Sequence, residues 1–297
     1  MDSTLIVVGG PTASGKTKLA IELAQHYDTV VLSADSRQFY RELQIGTARP
    51  STEELRAVTH YFIADRSIQN PLSAGAYARE ALALLAQLFQ TQQHIILVGG
   101  SGLYIKALCE GLDEFPAVTD DARQRVAATY QSAGLEGLRQ ALRLADPTYY
   151  EEVDLQNPAR LRRALEVSWS GDLPYSAYRK TRSSPRPFVC KYLLTDWPRQ
   201  TLYQRINQRV EQMVAAGLEA EARSLADQQA LPVLQTVGYQ EWFPYFRGAY
   251  DRQTAIECIK RNSRRYAKRQ LTWFRRDEHW QKIARGDLAL ALDTLRK

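Results

Sequence analysis

The sequence predicts an α/β protein: a parallel sheet flanked by helices, interrupted by an all-helical insertion domain. Three observations predict it. Short apolar runs alternate with longer stretches of helical spacing. Glycine-rich turns follow two of those runs. Strand signals then fade between residues 112 and 187 and return after them.

Leu5-Ile6-Val7-Val8 reads as a buried strand and Lys18 to Ala24 as an amphipathic helix. Between them, Gly10-Pro11-Thr12-Ala13-Ser14-Gly15-Lys16-Thr17 meets the pattern G-x-x-x-x-G-K-[ST] at every fixed position. Strand–loop–helix is the context that makes this pattern a phosphate-binding loop rather than a chance glycine turn. Its glycines let successive N–H groups point into one concavity, and the helix N-terminus adds its positive end. Lys16 brings a point charge to phosphate oxygens, and the Thr17 hydroxyl is a ligand for Mg²⁺. A group bearing a di- or triphosphate is therefore expected here.

Thr29 to Leu32 reads as a second strand, and it runs into Ser33-Ala34-Asp35-Ser36-Arg37-Gln38. Ligands of open α/β sheets sit at strand carboxyl ends, where Asp35 falls. Three roles are open to it: a general base, a partner of Mg²⁺ through water, or the cap of the next turn. Ser51-Thr52-Glu53-Glu54 starts a helix with capping residues, and Ser73 to Gln92 has the spacing of a long helix. His94 to Val98 is a third strand, ending in Gly99-Gly100-Ser101-Gly102. That turn either admits a ligand close to the backbone, with Ser101 presenting a hydroxyl, or is a tight strand-to-helix connection. An NTPase usually has an apolar strand ending in Asp to hold Mg²⁺; this strand ends in Gly-Gly-Ser. The phosphate-bearing group is thus expected to meet a fate other than ordinary ATP hydrolysis.

The insertion, 112–187, reads as helices over Asp120 to Gly134, Leu135 to Leu144 and Asn157 to Trp169. The last opens on Ala159-Arg160-Leu161-Arg162-Arg163, a basic first turn that opposes the helix dipole. It points to an anionic partner or to a solvated basic face. Phe188 to Thr195 returns to strand pattern, so the α/β core comprises 1–111 and 188–297. Arg199 to Gly217 is helical and sets Arg205 and Arg209 four residues apart, either both within reach of a diphosphate or simply on the surface. Gln235-Thr236-Val237-Gly238-Tyr239-Gln240 is a glycine-containing loop before an aromatic cluster at Trp242, Phe243, Tyr245 and Phe246. Lys260 to Arg276 has eight basic residues and no acid; Arg264, Arg265, Lys268 and Arg269 share one helical stripe with Tyr266 and Trp273 interleaved. Such a face neutralises nucleic-acid phosphates, whereas a merely solvated face mixes signs.

Composition narrows the class. The chain has 297 residues, 44% hydrophobic and 24% charged, with a formal charge of +6. No apolar run approaches the roughly 20 residues of a membrane span, and the N-terminus has no basic signal region, so a cytoplasmic protein is expected. Cys109, Cys190 and Cys258 lie far apart with no C-x-x-C pair, which argues against a zinc site and a disulfide framework.

Read together, the phosphate loop, Ser33 to Gln38, Ile45-Gly46-Thr47-Ala48-Arg49-Pro50, Val98 to Tyr104, Arg160 to Glu166, Thr236 to Tyr239 and Lys268 to Arg275 resemble the bacterial tRNA dimethylallyltransferases, in the family's order along nearly the whole chain. The resemblance implies transfer of a dimethylallyl group from dimethylallyl diphosphate to N6 of adenine 37 in tRNAs reading codons that begin with U. Mg²⁺ is the implied cofactor, diphosphate the leaving group and the tRNA anticodon stem-loop the partner, with a monomeric enzyme expected. By resemblance, the phosphate loop with Lys16, Arg205 and Arg209 holds the diphosphate, Thr17 the metal, and Asp35 takes the N6 proton. Ser101 stands where the family most often has threonine, at the diphosphate end or bridging oxygen. Asp35 to Gln38, Ser101, Arg123, Ala159 to Arg163 and Gln235 to Gln240 match tRNA-contact stretches. The zinc finger that eukaryotic members often add has no counterpart in the sequence, in keeping with a bacterial type. Three other readings compete: an adenylate isopentenyltransferase, which needs no basic helix; a nucleotide kinase, which the Gly-Gly-Ser strand end fits poorly; and a nucleotide-gated RNA-binding switch, which makes no covalent product.

Overall fold

A computed structural model describes residues 3–179 and 185–296. By internal contacts the chain divides into one unit, Met1–Glu110 with Pro185–Lys297, and a second, Gly111–Ser184.

The first unit opens with β1 (Thr4–Gly9), α1 (Lys16–His26), β2 (Val31–Ser33), α2 (Thr52–Ala57), β3 (His60–Tyr61), α3 (Ala74–Leu88), β4 (His94–Gly99) and α4 (Gly102–Cys109). After residue 185 it resumes with β5 (Val189–Asp196), α9 (Arg199–Ala215), α10 (Leu218–Ser224), α11 (Trp242–Phe246), α12 (Arg252–Phe274), β6 (Gln281–Ala284) and α13 (Leu288–Arg296), the helices α5 to α8 belonging to the second unit. The sheet is six-stranded, ordered β3-β2-β4-β1-β5-β6, and every pairing is parallel. β1 is central, with Val7 opposite Leu97 on one side and Tyr192 on the other.

Alternation along β1 builds a core on each face. Leu5 and Val7 join Leu32, Tyr77, Leu97 and Trp242 in the larger cluster, while Ile6 and Val8 join Leu19, Leu23 and Ile96 in the smaller. A strand buried on both faces reads as a continuous apolar run, which is why β1 and β4 are visible in the sequence. The short edge strands β3 and β6 carry no such signal. Boundaries also shift. Asp28 adopts a left-handed φ of 48° and Thr29 donates its N–H to Ala24 at 2.9 Å, so β2 starts at Val31 rather than Thr29. α3 ends at Leu88, four residues short of the expected Gln92, where Gln90, Thr91 and Gln92 turn their N–H groups back onto Gln87 and Leu88. α12 begins eight residues before Lys260, because the Asp251 side chain caps it through the Thr254 N–H at 2.8 Å.

The second unit contains α5 (Asp120–Ala145), α6 (Pro147–Glu152), α7 (Pro158–Ser168) and α8 (Tyr175–Tyr178). α5 is broken at Gly134 (φ 58°, ψ −147°), where the sequence separates its two helices. Val126, Leu138, Leu142, Leu161 and Leu165 form the core of this unit. The Asn157 side chain caps α7 by accepting the Arg160 N–H.

Candidate active site

The phosphate loop joins β1 to α1 and is fastened by residues from elsewhere in the unit. Gly15 caps α1 with a φ of 85°, a left-handed conformation that favours glycine. Ser14 is fully buried, and its hydroxyl accepts from Thr195 at 2.6 Å. Its carbonyl accepts the Trp197 indole N–H at 2.8 Å, and Arg205 donates to the Ala13 carbonyl at 2.8 Å while its guanidinium lies 4.4 Å over the Trp197 ring. Gly10, Pro11 and Ala13 are also buried. These residues shape the loop; Thr12, Lys16 and Thr17 are the ones that line the solvent-open cleft beside it.

Lys16 donates to the Pro11 carbonyl at 3.4 Å. Burial holds its ammonium down at about 8, with Asp35 pulling the value up and Arg209 pressing it further down. Arg209 lines the same cleft, and burial followed by the Arg205 charge lowers its own value. The two arginines of α9 are thereby separated: Arg209 faces the cleft, and Arg205 braces the loop.

Asp35 lies just past β2 in the same cleft, half-buried. One carboxylate oxygen, Oδ1, accepts the Arg37 N–H at 3.1 Å, so the capping role is real and leaves the other oxygen for a ligand. Ser101 stands behind this turn: its Oγ accepts the Ser36 N–H at 3.0 Å and meets the Ser36 hydroxyl at 3.1 Å. The glycines around Ser101 are required by protein packing. A Cβ on Gly99 would come within 2.4 Å of the Ala34 carbonyl oxygen, and one on Gly100 within 2.3 Å of the Gln270 amide.

Gln38 donates to the Thr47 and Ala48 carbonyls, each at 3.2 Å, and so joins the Asp35 turn to a second cleft wall. Thr236, Val237, Gly238 and Tyr239 form a third; Gln235 is exposed and Gln240 half-buried beside them. Tyr239 is fully buried, so it braces that wall and offers no surface to a partner. α12 supplies the last wall with Ile259, Ser263, Tyr266 and Gln270. Tyr266 keeps 36% of its surface exposed, yet its phenol faces inward, and burial with the Asp35 charge pushes it up to about 12. The outer face of the same helix exposes Arg265, Lys268 and Arg269, while Arg264 is tied to Asn207 at 2.7 Å. Lys260, outside that stripe, is held by Glu211 and Glu257.

In the second unit Ala159, Arg160 and Arg163 are exposed and Arg162 is half-buried 4.7 Å over the Tyr130 ring. Leu161 is the exception among these expected contacts: it is fully buried in the unit's core and cannot touch a partner. Arg123 is exposed and paired with Asp120 at 2.8 Å. Gln270, Thr195 and Trp197 are site residues whose part sequence reasoning missed; Gln270 lies inside the singled-out run Lys268 to Arg275, and Thr195 appears only as a strand end.

The IPP transferase family model matches residues 38–277. The chain belongs to the IPP transferase family. Among its relatives, a tRNA dimethylallyltransferase of Flavobacterium johnsoniae is 45% identical over 281 residues, covering 93% of this chain and 91% of the relative. The tRNA dimethylallyltransferase of Christiangramia forsetii is 46% identical over 279 residues, with 93% and 92% covered. Among solved structures, the full-length tRNA isopentenylpyrophosphate transferase of Bacillus halodurans superposes with a TM-score of 0.70 at 33% identity, covering 99% of this chain and 94% of that one. A eukaryotic dimethylallyltransferase acting on tRNA shares the fold, with a TM-score of 0.80 at 22% identity, over 97% and 75% of the two chains. No helix among the described residues is long and apolar enough to cross a membrane.

Proposed function

We propose that this IPP transferase moves a dimethylallyl group from dimethylallyl diphosphate to N6 of adenine 37 in tRNAs reading codons that begin with U, releasing diphosphate. The observation that carries the reading is that Lys16, Thr17 and Arg209 share one cleft with Asp35, a cationic cradle beside a free carboxylate oxygen. The C1–O bond to diphosphate breaks, the N6–C1 bond forms, and the N6 proton passes to Asp35. Lys16, Arg209 and the N–H groups of the loop take up charge growing on the departing oxygens. Asp35 needs position more than a raised pKa, since the amine turns acidic only as the new bond forms. The Thr17 hydroxyl and the Asp35 carboxylate are hard oxygen donors that suit Mg²⁺, directly or through water. Bound there, Mg²⁺ would add Lewis-acid stabilisation of the diphosphate.

A stacked base is out of reach of such a cleft, so the adenine must be extruded from its loop, which single-stranded anticodon loops permit. Arg265, Lys268 and Arg269 outside α12, with Arg160 and Arg163 on α7, are suited to the phosphates of the anticodon stem-loop. A basic face in each unit favours tRNA over free adenine nucleotide, as do the names of the relatives. A monomer working in the cytoplasm fits this reading. Nucleoside mass spectrometry on a U-codon tRNA, incubated with the protein, dimethylallyl diphosphate and Mg²⁺, is the test. The expected product is one dimethylallyl-adenosine at position 37; an untouched tRNA alongside prenylated AMP would overturn the proposal.

A further inference from the structure

Glu221, on α10, lies outside every motif discussed so far, yet its carboxylate receives donors from two cleft walls. Oε2 accepts the N–H groups of Gln44 at 3.1 Å and Ile45 at 2.8 Å. Oε1 accepts the N–H of Gly46 at 3.0 Å and the phenol of Tyr239 at 2.6 Å. Three consecutive backbone N–H groups thus converge on one carboxylate, an arrangement that a neutral side chain cannot reproduce, because an amide would turn N–H against N–H. The two walls also touch directly: a Cβ on Gly46 would stand 2.5 Å from the Tyr239 ring. Burial and the Glu221 charge hold the Tyr239 phenol well above the usual tyrosine range, so it remains a donor to that carboxylate.

The clamp reaches the candidate base. Thr47 and Ala48 follow directly on the clamped N–H groups, and Gln38 donates to their carbonyls. Gln38 closes the turn that begins at Asp35, its N–H donating to the Asp35 carbonyl at 3.1 Å. A continuous chain of contacts therefore runs from Glu221 through the residue 44–48 wall to the Asp35 turn, and it shares no residue with the phosphate loop's fastenings at Thr195 and Trp197.

We propose that Glu221 is a positioning residue for the acceptor base: it sets the distance between the residue 44–48 wall, the Tyr239 wall and Asp35, and so governs how the extruded adenine is seated without governing diphosphate binding. The proposal rests on the transfer reaction above. Its test is steady-state kinetics of Glu221→Gln and Tyr239→Phe against wild type, with dimethylallyl diphosphate affinity measured separately in the absence of tRNA. Glu221→Gln is expected to raise the KM for tRNA about tenfold and to lower kcat, with the affinity for dimethylallyl diphosphate unchanged within about twofold. Tyr239→Phe, which keeps the ring against Gly46, should move the same parameters in the same direction by less. A Glu221→Gln protein with wild-type tRNA kinetics, or one that loses both substrates in equal measure, overturns the proposal. Glu221→Asp restores the charge at a shorter reach and should recover part of the loss; recovery of melting temperature without recovery of tRNA KM also overturns it. Wild-type protein that modifies no tRNA would instead defeat the transfer reading itself.

Discussion

Gln270 accepts the Thr12 N–H at 2.9 Å and donates its amide to the Gly100 carbonyl at the same distance. One buried side chain of α12 therefore fastens the phosphate loop to the turn after β4. Removing it leaves a loop N–H and a buried carbonyl without their partner. Gln270→Leu is expected to cost about 1–3 kcal/mol in chemical denaturation and to weaken dimethylallyl diphosphate binding as well. Loss of stability with unchanged binding would show that the bridge does not shape the loop.

Lys16 gives a pH dependence whose sign can be fixed in advance. Its folded value of about 8 lies below the ordinary 10.5, so the unfolded chain binds more protons between those two values. Stability from this group therefore rises with pH through that window and is lower below it. Ligand binding runs the other way, because the diphosphate needs the ammonium. Affinity for dimethylallyl diphosphate without tRNA should fall roughly tenfold or more between about pH 7 and about pH 9.5, while Lys16→Met stays flat. A flat wild-type profile would remove Lys16 from the cradle.

Asp35→Asn keeps the Arg37 N–H bonded through its side-chain oxygen but cannot accept the N6 proton. Turnover is expected to drop about 10²- to 10⁴-fold with dimethylallyl diphosphate binding within about twofold. Near-wild-type turnover would falsify the assignment of the base.

The two arginines of α9 should part company. Arg209→Gln is expected to raise the Kd for dimethylallyl diphosphate about tenfold with little change in melting temperature. Arg205→Gln loses the Ala13 carbonyl and the Trp197 ring and should cost about 1–3 kcal/mol of stability. Thermal melts paired with calorimetry decide it; the reverse pattern contradicts the cleft geometry.

Neighbouring positions in α7 should likewise behave oppositely. Leu161→Ala opens the second unit's core and should cost about 2–5 kcal/mol. Arg160→Ala should leave the melt unchanged, weaken tRNA binding and reduce its salt slope by about 1. A salt slope identical to wild type would exclude a phosphate contact at Arg160.

Much of the site was legible because its chemistry is local. The phosphate loop, Asp35 past β2 and the basic face of α12 each declare themselves within one short stretch. What escaped was long-range. Gln270 meets Thr12 across 258 residues, and Glu221 meets Gly46 across 175, distances at which no periodicity informs. The sheet core was legible for a related reason: β1 and β4 are buried on both faces, so their apolar runs are unbroken, whereas the edge strands β3 and β6 are short and mixed. Leu161 misled because a run of arginines drew a core residue into a contact stretch.

The central position of β1 bears on how the chain is made. Its two neighbours are β4, which precedes the helical unit, and β5, which follows it. On the ribosome, Ser184 emerges before Val189, so residues 111–184 are all available to fold while β1 still has one open flank. Until β5 arrives, Ile6 and Val8 lack Leu193 from their cluster and the Ser14 hydroxyl lacks Thr195; Ile283 follows only with β6. The phosphate loop thus precedes along the chain the residues that complete its fastening, Thr195 and Trp197, and takes its final shape only after they have been synthesised.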